Sequence, residues 1–161
     1  MREAFANRPV VATTFYVRYA ETDQMGIVHH SAYLIWFEEG RSQYMRACGA
    51  DYAEIERSGA LFAVAEAHAR YEAPARYGER VTVRTWVEEV RSRAITFGYA
   101  VYNADTGMRL ATGWTKHVCL DRDGRVTVIP EIWRSLLARG PHADTFGDQR
   151  VWGESEDKGA R

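Results

Sequence analysis

The residues best suited to chemistry cluster between Tyr19 and Arg41, in the segment YAETDQMGIVHHSAYLIWFEEGR. Asp23 is a carboxylate in a polar stretch, residues 21–31, a few positions before an apolar periodic segment begins. Gly26 lets that stretch turn tightly, and His29 and His30 stand where the periodic segment opens. If that segment is a helix, its first turn offers unpaired backbone N–H groups and the positive end of the helix dipole. Such donors polarise a carbonyl oxygen and stabilise the oxyanion formed when it is attacked. A carboxylate, a histidine and several N–H donors in one place suit acyl transfer or hydrolysis. Each residue also has a plainer reading. An isolated Asp23 is more often a turn or cap residue, His30 a cap or core histidine, and His29 a structural or pocket-lining one.

The elements that must hold this segment follow from periodicity. Residues 11–20 (VATTFYVRYA) are rich in β-branched and aromatic types, with Thr13, Phe15, Val17 and Tyr19 on one face of an expected strand. From 32 to 48 the period changes. Tyr33, Trp36, Phe37, Gly40, Tyr44, Ala47 and Cys48 form one helical stripe, which Ser31 or His30 could cap and Gly49 could end. Leu34, Ile35 and Met45 add apolar surface outside the stripe, so the helix is expected to be wrapped on several sides. Gly40 in its middle costs about 1 kcal/mol against Ala, which close approach of another backbone would explain. A short helix is expected over 51–58, then strands over 60–73, 79–90, 93–103 and 108–120, a short strand over 125–129 and a helix over 131–138. Val81, Val83, Thr85 and Val87 share one face of their strand, as do Ile95, Phe97, Tyr99 and Val101 of the next. The pattern is α+β, a mostly antiparallel sheet with one long helix on one side. Residues 1–140 read as a single domain and 141–161, polar and glycine-containing, as a flexible tail. Apolar helix surface and open sheet edges left over by one sheet call for a homo-oligomer.

Bulk properties narrow the class. The chain has 161 residues, 46% hydrophobic, which suffices for a core. Its 21 basic and 22 acidic residues nearly balance, so nothing in the net charge draws it to nucleic acid or an anionic membrane. Cys48 and Cys119 are too few for a disulfide framework and read as reduced core residues of a cytoplasmic protein. Met1-Arg2-Glu3-Ala4 lacks the apolar run of a signal peptide, and no stretch is long and apolar enough for a membrane span.

The Tyr19–Arg41 segment resembles the 4-hydroxybenzoyl-CoA thioesterase family of hotdog-fold proteins. The likeness lies in Tyr19-Ala20-Glu21-Thr22-Asp23, Gly26-Ile27-Val28, His29-His30 and Tyr33, followed by Trp36-Phe37-Glu38. It continues through Arg70-Tyr71, Pro74-Ala75-Arg76-Tyr77-Gly78-Glu79 and the strands to about Pro130. The resemblance implies a hotdog fold, a curved antiparallel sheet wrapped around one long central helix. It implies an acyl-CoA thioesterase that pairs as a homodimer or homotetramer and needs no cofactor or metal. The catalytic carboxylate falls on Asp23, the common histidine on His30, and the carbonyl-polarising N–H at or near position 30. Gly26, Val28, His29 and Tyr33 fall among the substrate-binding positions. Glu21 replaces the family's first Asp, at a position less suited to chemistry, and His29 replaces the commoner aromatic.

Outside that segment the candidates are weaker. Glu66 could be a second carboxylate at the site, though a sheet-face residue is the simpler reading. Arg76, Arg91, Arg93 and Lys116 could meet the phosphates of CoA. Adjacent histidines on an extended segment point opposite ways, which argues against His29 and His30 sharing a metal ion. Neither a phosphate loop of the form GxxxxGK[ST] nor a GxSxG nucleophile elbow occurs. The rival readings are a thioesterase for acyl carrier protein, a hotdog dehydratase or hydratase with histidine as base, and a non-catalytic binder of acyl thioesters.

Overall fold

The structure, a computed structural model, describes residues 8–141; the expected tail over 141–161 lies, past its first residue, outside the described residues. In chain order the elements are β1 (Val11–Tyr16), a 3-10 turn (Tyr19–Glu21), α1 (Ala32–Ala47), α2 (Tyr52–Arg57), β2 (Leu61–Tyr71), β3 (Arg80–Val90), β4 (Ala94–Asn103), β5 (Arg109–Leu120) and α3 (Glu131–Arg139). The five strands make one sheet in the order β1-β3-β4-β5-β2, every neighbouring pair antiparallel. The sheet is open, with β1 and β2 at its edges.

Helix α1 lies across one face of this sheet because the stripe read from the sequence is apolar at every turn. Tyr33, Trp36, Phe37, Tyr44, Ala47 and Cys48 are all buried. Phe37 stacks on Tyr99 of β4 with centroids 4.3 Å apart, and Tyr44 meets Phe97 edge to face at 5.9 Å. Ile95, Phe97, Tyr99 and Val101 present one continuous inner face, matched by Val81, Val83 and Thr85 of β3. Burying a Phe or Leu side chain contributes roughly 1.5–3 kcal/mol, so this layer holds the helix to the sheet. A register shift between Val101 and Tyr102 opposite β5 lets both Leu110 and Ala111 bury, as a β-bulge does.

Several details depart from the sequence reading. The first strand ends at Tyr16; residues 19–21 form a 3-10 turn, and Tyr19 is 77% exposed rather than facing inward with Thr13. The cause is Glu21, whose carboxylate accepts the Arg18 N–H at 2.8 Å and turns the chain out of the sheet. Residues 125–129 contribute one isolated bridge, Leu120 to Val126, not a strand. Gly40 is required by side chains, not backbone: a Cβ there would lie 2.4 Å from Thr85 Oγ1 and 3.0 Å from Val83 Cγ1. Leu34 and Ile35 are 42% and 56% exposed, so the sheet covers α1 on one side and that flank stays open rather than wrapped. Among the described residues no helix is long and apolar enough to cross a membrane.

Candidate active site at the entrance to the central helix

Asp23 opens a tight turn. Its backbone N–H donates to the Ile27 carbonyl at 2.8 Å, and its own carbonyl accepts the Gly26 N–H at 2.9 Å. Gly26 takes φ +77°, a left-handed conformation that glycine adopts without strain. Thr22 and Val28 bridge across the base of the turn, and the Val28 N–H donates to the Ala75 carbonyl at 2.8 Å. The turn is therefore tied to the 74–79 loop that follows β2. One carboxylate oxygen of Asp23, Oδ1, accepts the Met25 N–H at 2.8 Å; Oδ2 accepts no hydrogen bond among the described residues. The turn and cap reading of Asp23 is thus half right: it braces its own turn and keeps one oxygen available.

Glu21 holds the other side of the loop. It is buried, and its carboxylate accepts from the Arg18 N–H, the Arg18 guanidinium and the Trp36 indole N–H at 2.9 Å. Its backbone carbonyl accepts the His29 N–H at 2.8 Å. Burial pushes its carboxyl pKa up, but these donors together outweigh burial and hold it below the ordinary Glu value. Glu21 is thus a structural clamp, in keeping with its poor fit to a chemical role.

The chain enters α1 through a tightened turn. The Ala32 and Leu34 N–H groups donate to the His29 and Ser31 carbonyls, three residues back, and the Ser31 N–H donates to His29 Nδ1 at 3.2 Å. Ser31 occupies the cap position, but its hydroxyl bonds the His29 ring at 2.7 Å and caps nothing. The expectation that the two histidines point opposite ways fails, because the segment turns here. Their rings lie one over the other with centroids 4.1 Å apart. The His30 N–H makes no hydrogen bond among the described residues.

Asp23, Val28, His30 and Tyr33 line one cleft of about 390 Å³. Its far wall comes from the end of β2 and the turn after it, where Tyr71, Ala73 and Pro74 close it. The Tyr71 ring meets Tyr33 edge to face at 5.1 Å, and its hydroxyl donates to the His30 carbonyl at 2.7 Å. Met25 and Ile27 from the Asp23 turn complete an apolar mouth. Burial pushes the Tyr33 hydroxyl pKa up to about 12 and raises that of Tyr71, so both stay protonated at neutral pH.

The other candidates are scattered. Gly26 shapes the turn, and His29 stands outside the cleft lining. Arg76 is exposed in the loop two residues beyond Pro74, its N–H on a Glu79 carboxylate oxygen at 3.1 Å. Glu66 is exposed on β2, 3.5 Å from Lys116 in an ion pair. Arg91 pairs with Glu89 at 2.8 Å in the turn between β3 and β4, beside Arg93. Tyr71 is in register with Ala111, Ala111 with Val101, and Val101 with Val83, so the cleft lies at the Val83 end of β3. At about 3.3 Å per residue the Arg91–Arg93 turn is then roughly 25 Å away along the sheet. Glu66, Arg91 and Arg93 do not line the cleft that holds Asp23. Sequence reasoning missed Tyr71 as a site residue. It lies forty-one positions from His30, and the signals were its place near Pro74, where a strand must stop, and the family likeness at Arg70-Tyr71. Among the described residues no group of three or more His, Cys, Asp or Glu side chains could hold a metal ion.

An open antiparallel sheet with one long helix on its face is the architecture of hotdog-fold thioesterases. Residues 17–139 match the thioesterase-like superfamily, and the chain belongs to it. It is 39% identical over 107 residues to the Bacillus subtilis protein YneP, provisionally named an acyl-CoA thioesterase; the match covers 66% of this chain and 77% of YneP. Among solved structures it resembles the hypothetical protein TT1821 of Thermus thermophilus (TM-score 0.76, 42% identity, 80% of this chain and 98% of that one). It also resembles the DHNA-CoA thioesterase of Staphylococcus aureus (TM-score 0.75, 30% identity, 81% and 89%).

Proposed function

We propose that this chain hydrolyses an acyl-CoA thioester to the free carboxylic acid and CoA, with Asp23 as nucleophile or general base and His30 beside it. The observation that carries the reading is that Asp23 and His30 line one cleft at the entrance to α1, where the His30 N–H has no partner among the described residues. In this reading the thioester carbonyl oxygen rests on that N–H, at the positive end of the helix dipole. The Asp23 carboxylate then acts on the carbonyl carbon in one of two ways. Direct attack forms a C–O bond, breaks the C–S bond, expels CoA thiolate and leaves a mixed anhydride that water cleaves. General-base action removes a proton from water, whose oxygen adds to the carbon before the C–S bond breaks. His30 orients the water or carries the proton that the leaving thiolate takes up.

Val28 and Tyr33 contact the acyl group in this reading, and Gly26 keeps the turn compact enough to admit it. Of the basic candidates Arg76 sits in the loop tied to the Asp23 turn through the Val28–Ala75 hydrogen bond. The open Leu34–Ile35 flank of α1 and the eleven-residue edge strand β2 support a homodimer or homotetramer, in which Glu66, Arg91 and Arg93 could face another protomer's cleft. The chain acts in the cytoplasm, without cofactor or metal.

The test is thiol release across a panel of acyl-CoA esters by wild type and Asp23→Asn at pH 7. Loss of a general base or nucleophile is expected to lower kcat by about 10²–10⁴-fold; activity within tenfold of wild type removes Asp23 from the central role. His30→Ala distinguishes hydrolysis from hydration chemistry. A hydrolase centred on Asp23 keeps more activity in His30→Ala than in Asp23→Asn.

A further inference from the structure

The carbonyl of His30 is not used by the helix it introduces. In a regular α-helical turn it would accept the N–H of Leu34, but that N–H donates to Ser31 instead, at 3.2 Å. The His30 carbonyl turns aside and accepts the hydroxyl of Tyr71 at 2.7 Å, across forty-one residues of sequence. On the other side of His30, the His29 N–H is held by the Glu21 carbonyl at 2.8 Å. His30 is therefore strung between two tethers, one to the 3-10 turn and one to β2, and its own N–H is left pointing free of any partner among the described residues. The peptide joining His30 to Ser31 is gripped at both ends, since the Ser31 N–H donates to His29 Nδ1 at 3.2 Å.

We propose that Tyr71 is a positioning residue for the reaction: its hydroxyl, by holding the His30 carbonyl, fixes the backbone of His30 so that the His30 N–H stays aimed at the substrate carbonyl. The inference rests on the functional reading above. Polarisation of an oxyanion depends on a donor held in place before the reaction, and loses its value when the donor must be reoriented. A tyrosine suits the task because its ring is itself located by edge-to-face contact with Tyr33, 5.1 Å between centroids. Its hydroxyl is committed to a backbone oxygen, so it acts through His30 and not on the thioester.

The test is Tyr71→Phe, which keeps the ring and its contact with Tyr33, measured on the acyl-CoA ester that the wild type turns over fastest. The expected result is a kcat about tenfold lower with KM within twofold and an unchanged melting temperature. The Ser31 backbone nitrogen, which shares the peptide whose carbonyl loses its donor, should move in the ¹⁵N–¹H spectrum of the free protein. Tyr71→Leu, which also removes the aromatic contact, separates the hydroxyl from packing: equal kcat losses in Phe and Leu support the tether. A kcat for Tyr71→Phe within twofold of wild type overturns the proposal, as does a rise in KM at constant kcat, which would put the hydroxyl on the substrate. Asp23→Asn tells this failure from that of the parent reading. If Asp23→Asn is inactive and Tyr71→Phe is not impaired, the tether alone is wrong; if Asp23→Asn stays active, the role of Asp23 falls, while the Ser31 shift and the kcat of Tyr71→Phe still decide the tether.

Discussion

The indole N–H of Trp36, in the second turn of α1, donates to the carboxylate of Glu21 at 2.9 Å, fifteen residues earlier in the chain. This bond fastens the loop carrying Asp23 to the helix whose entrance faces it. Glu21 and Trp36 are both buried, so an unpaired partner would bear the desolvation cost of a lost hydrogen bond, about 1–3 kcal/mol. Glu21→Ala, which leaves the indole N–H and Arg18 without an acceptor, is expected to lower stability by about 2–3 kcal/mol. Glu21→Gln, which keeps one oxygen for Trp36 and the Arg18 guanidinium but loses the charge and the acceptor of the Arg18 backbone N–H, should cost less than Glu21→Ala. Denaturant midpoints at pH 7 compare the two. The pH dependence has a definite sign. The folded Glu21 carboxyl titrates below its unfolded value, so its contribution is complete above about pH 4.3 and lost as the pH falls through the folded value.

His117 gives a second acid-side dependence. Its ring is buried between Thr115, whose hydroxyl lies 2.8 Å from Nε2, and Phe97, edge to face at 5.5 Å. Burial first, and the nearby Arg41 guanidinium second, push its pKa down to about 3. Between the unfolded value near 6.5 and the folded one, the unfolded chain binds a proton that the native one refuses. Stability should therefore fall with decreasing pH by up to about 1.4 kcal/mol per unit below about pH 6.5. His117→Gln removes the titrating group, and urea midpoints from pH 7 to 4 should show a flatter slope than wild type. An unchanged slope would contradict a neutral buried His117.

Gly40 sets two effects against each other. In an exposed helix Gly→Ala stabilises by about 1 kcal/mol. Here the new Cβ would lie 2.4 Å from Thr85 Oγ1, and overpacking of a filled core costs about 1–3 kcal/mol. Gly40→Ala is thus expected to be net destabilising by up to about 2 kcal/mol in thermal or chemical unfolding. Adding Thr85→Ala, which removes the clashing oxygen, should restore part of the loss, so the two changes will not be additive.

Nucleophilic and general-base action of Asp23 differ in where solvent oxygen appears. A single turnover in H₂¹⁸O with enzyme in excess of substrate should place label on Asp23 if water attacks the anhydride at its aspartyl carbonyl. Label confined to the product acid, with no trapping of the enzyme by hydroxylamine, indicates general-base catalysis. Mass analysis of the peptide containing Asp23 reads the result.

Much of the architecture was legible in the chain because it depends on local patterning. The stripe Tyr33, Trp36, Phe37, Gly40, Tyr44, Ala47 and Cys48 is buried as a 3.6-residue period requires. The inner faces of β3 and β4 follow the two-residue alternation of a sheet. What failed was local as well, but turned on one side chain. The carboxylate of Glu21 drew residues 19–21 out of the first strand, and a bend between His29 and His30 brought together rings that an extended chain would part.

The amino-acid order alone determined the long helix and the main strands, though not the end of the first strand or the 125–129 segment, that Asp23 and the two histidines precede a buried helix, and that this stretch resembles thioesterases. Only the folded chain decided which distant groups share the cleft. Tyr71 reaches the His30 carbonyl, whereas Glu66, Arg91 and Arg93 stay away from Asp23. The reason is that periodicity reports the face a residue presents to its neighbours along the chain. Meetings across forty residues depend on strand order and register, which are settled by how the whole core packs at once.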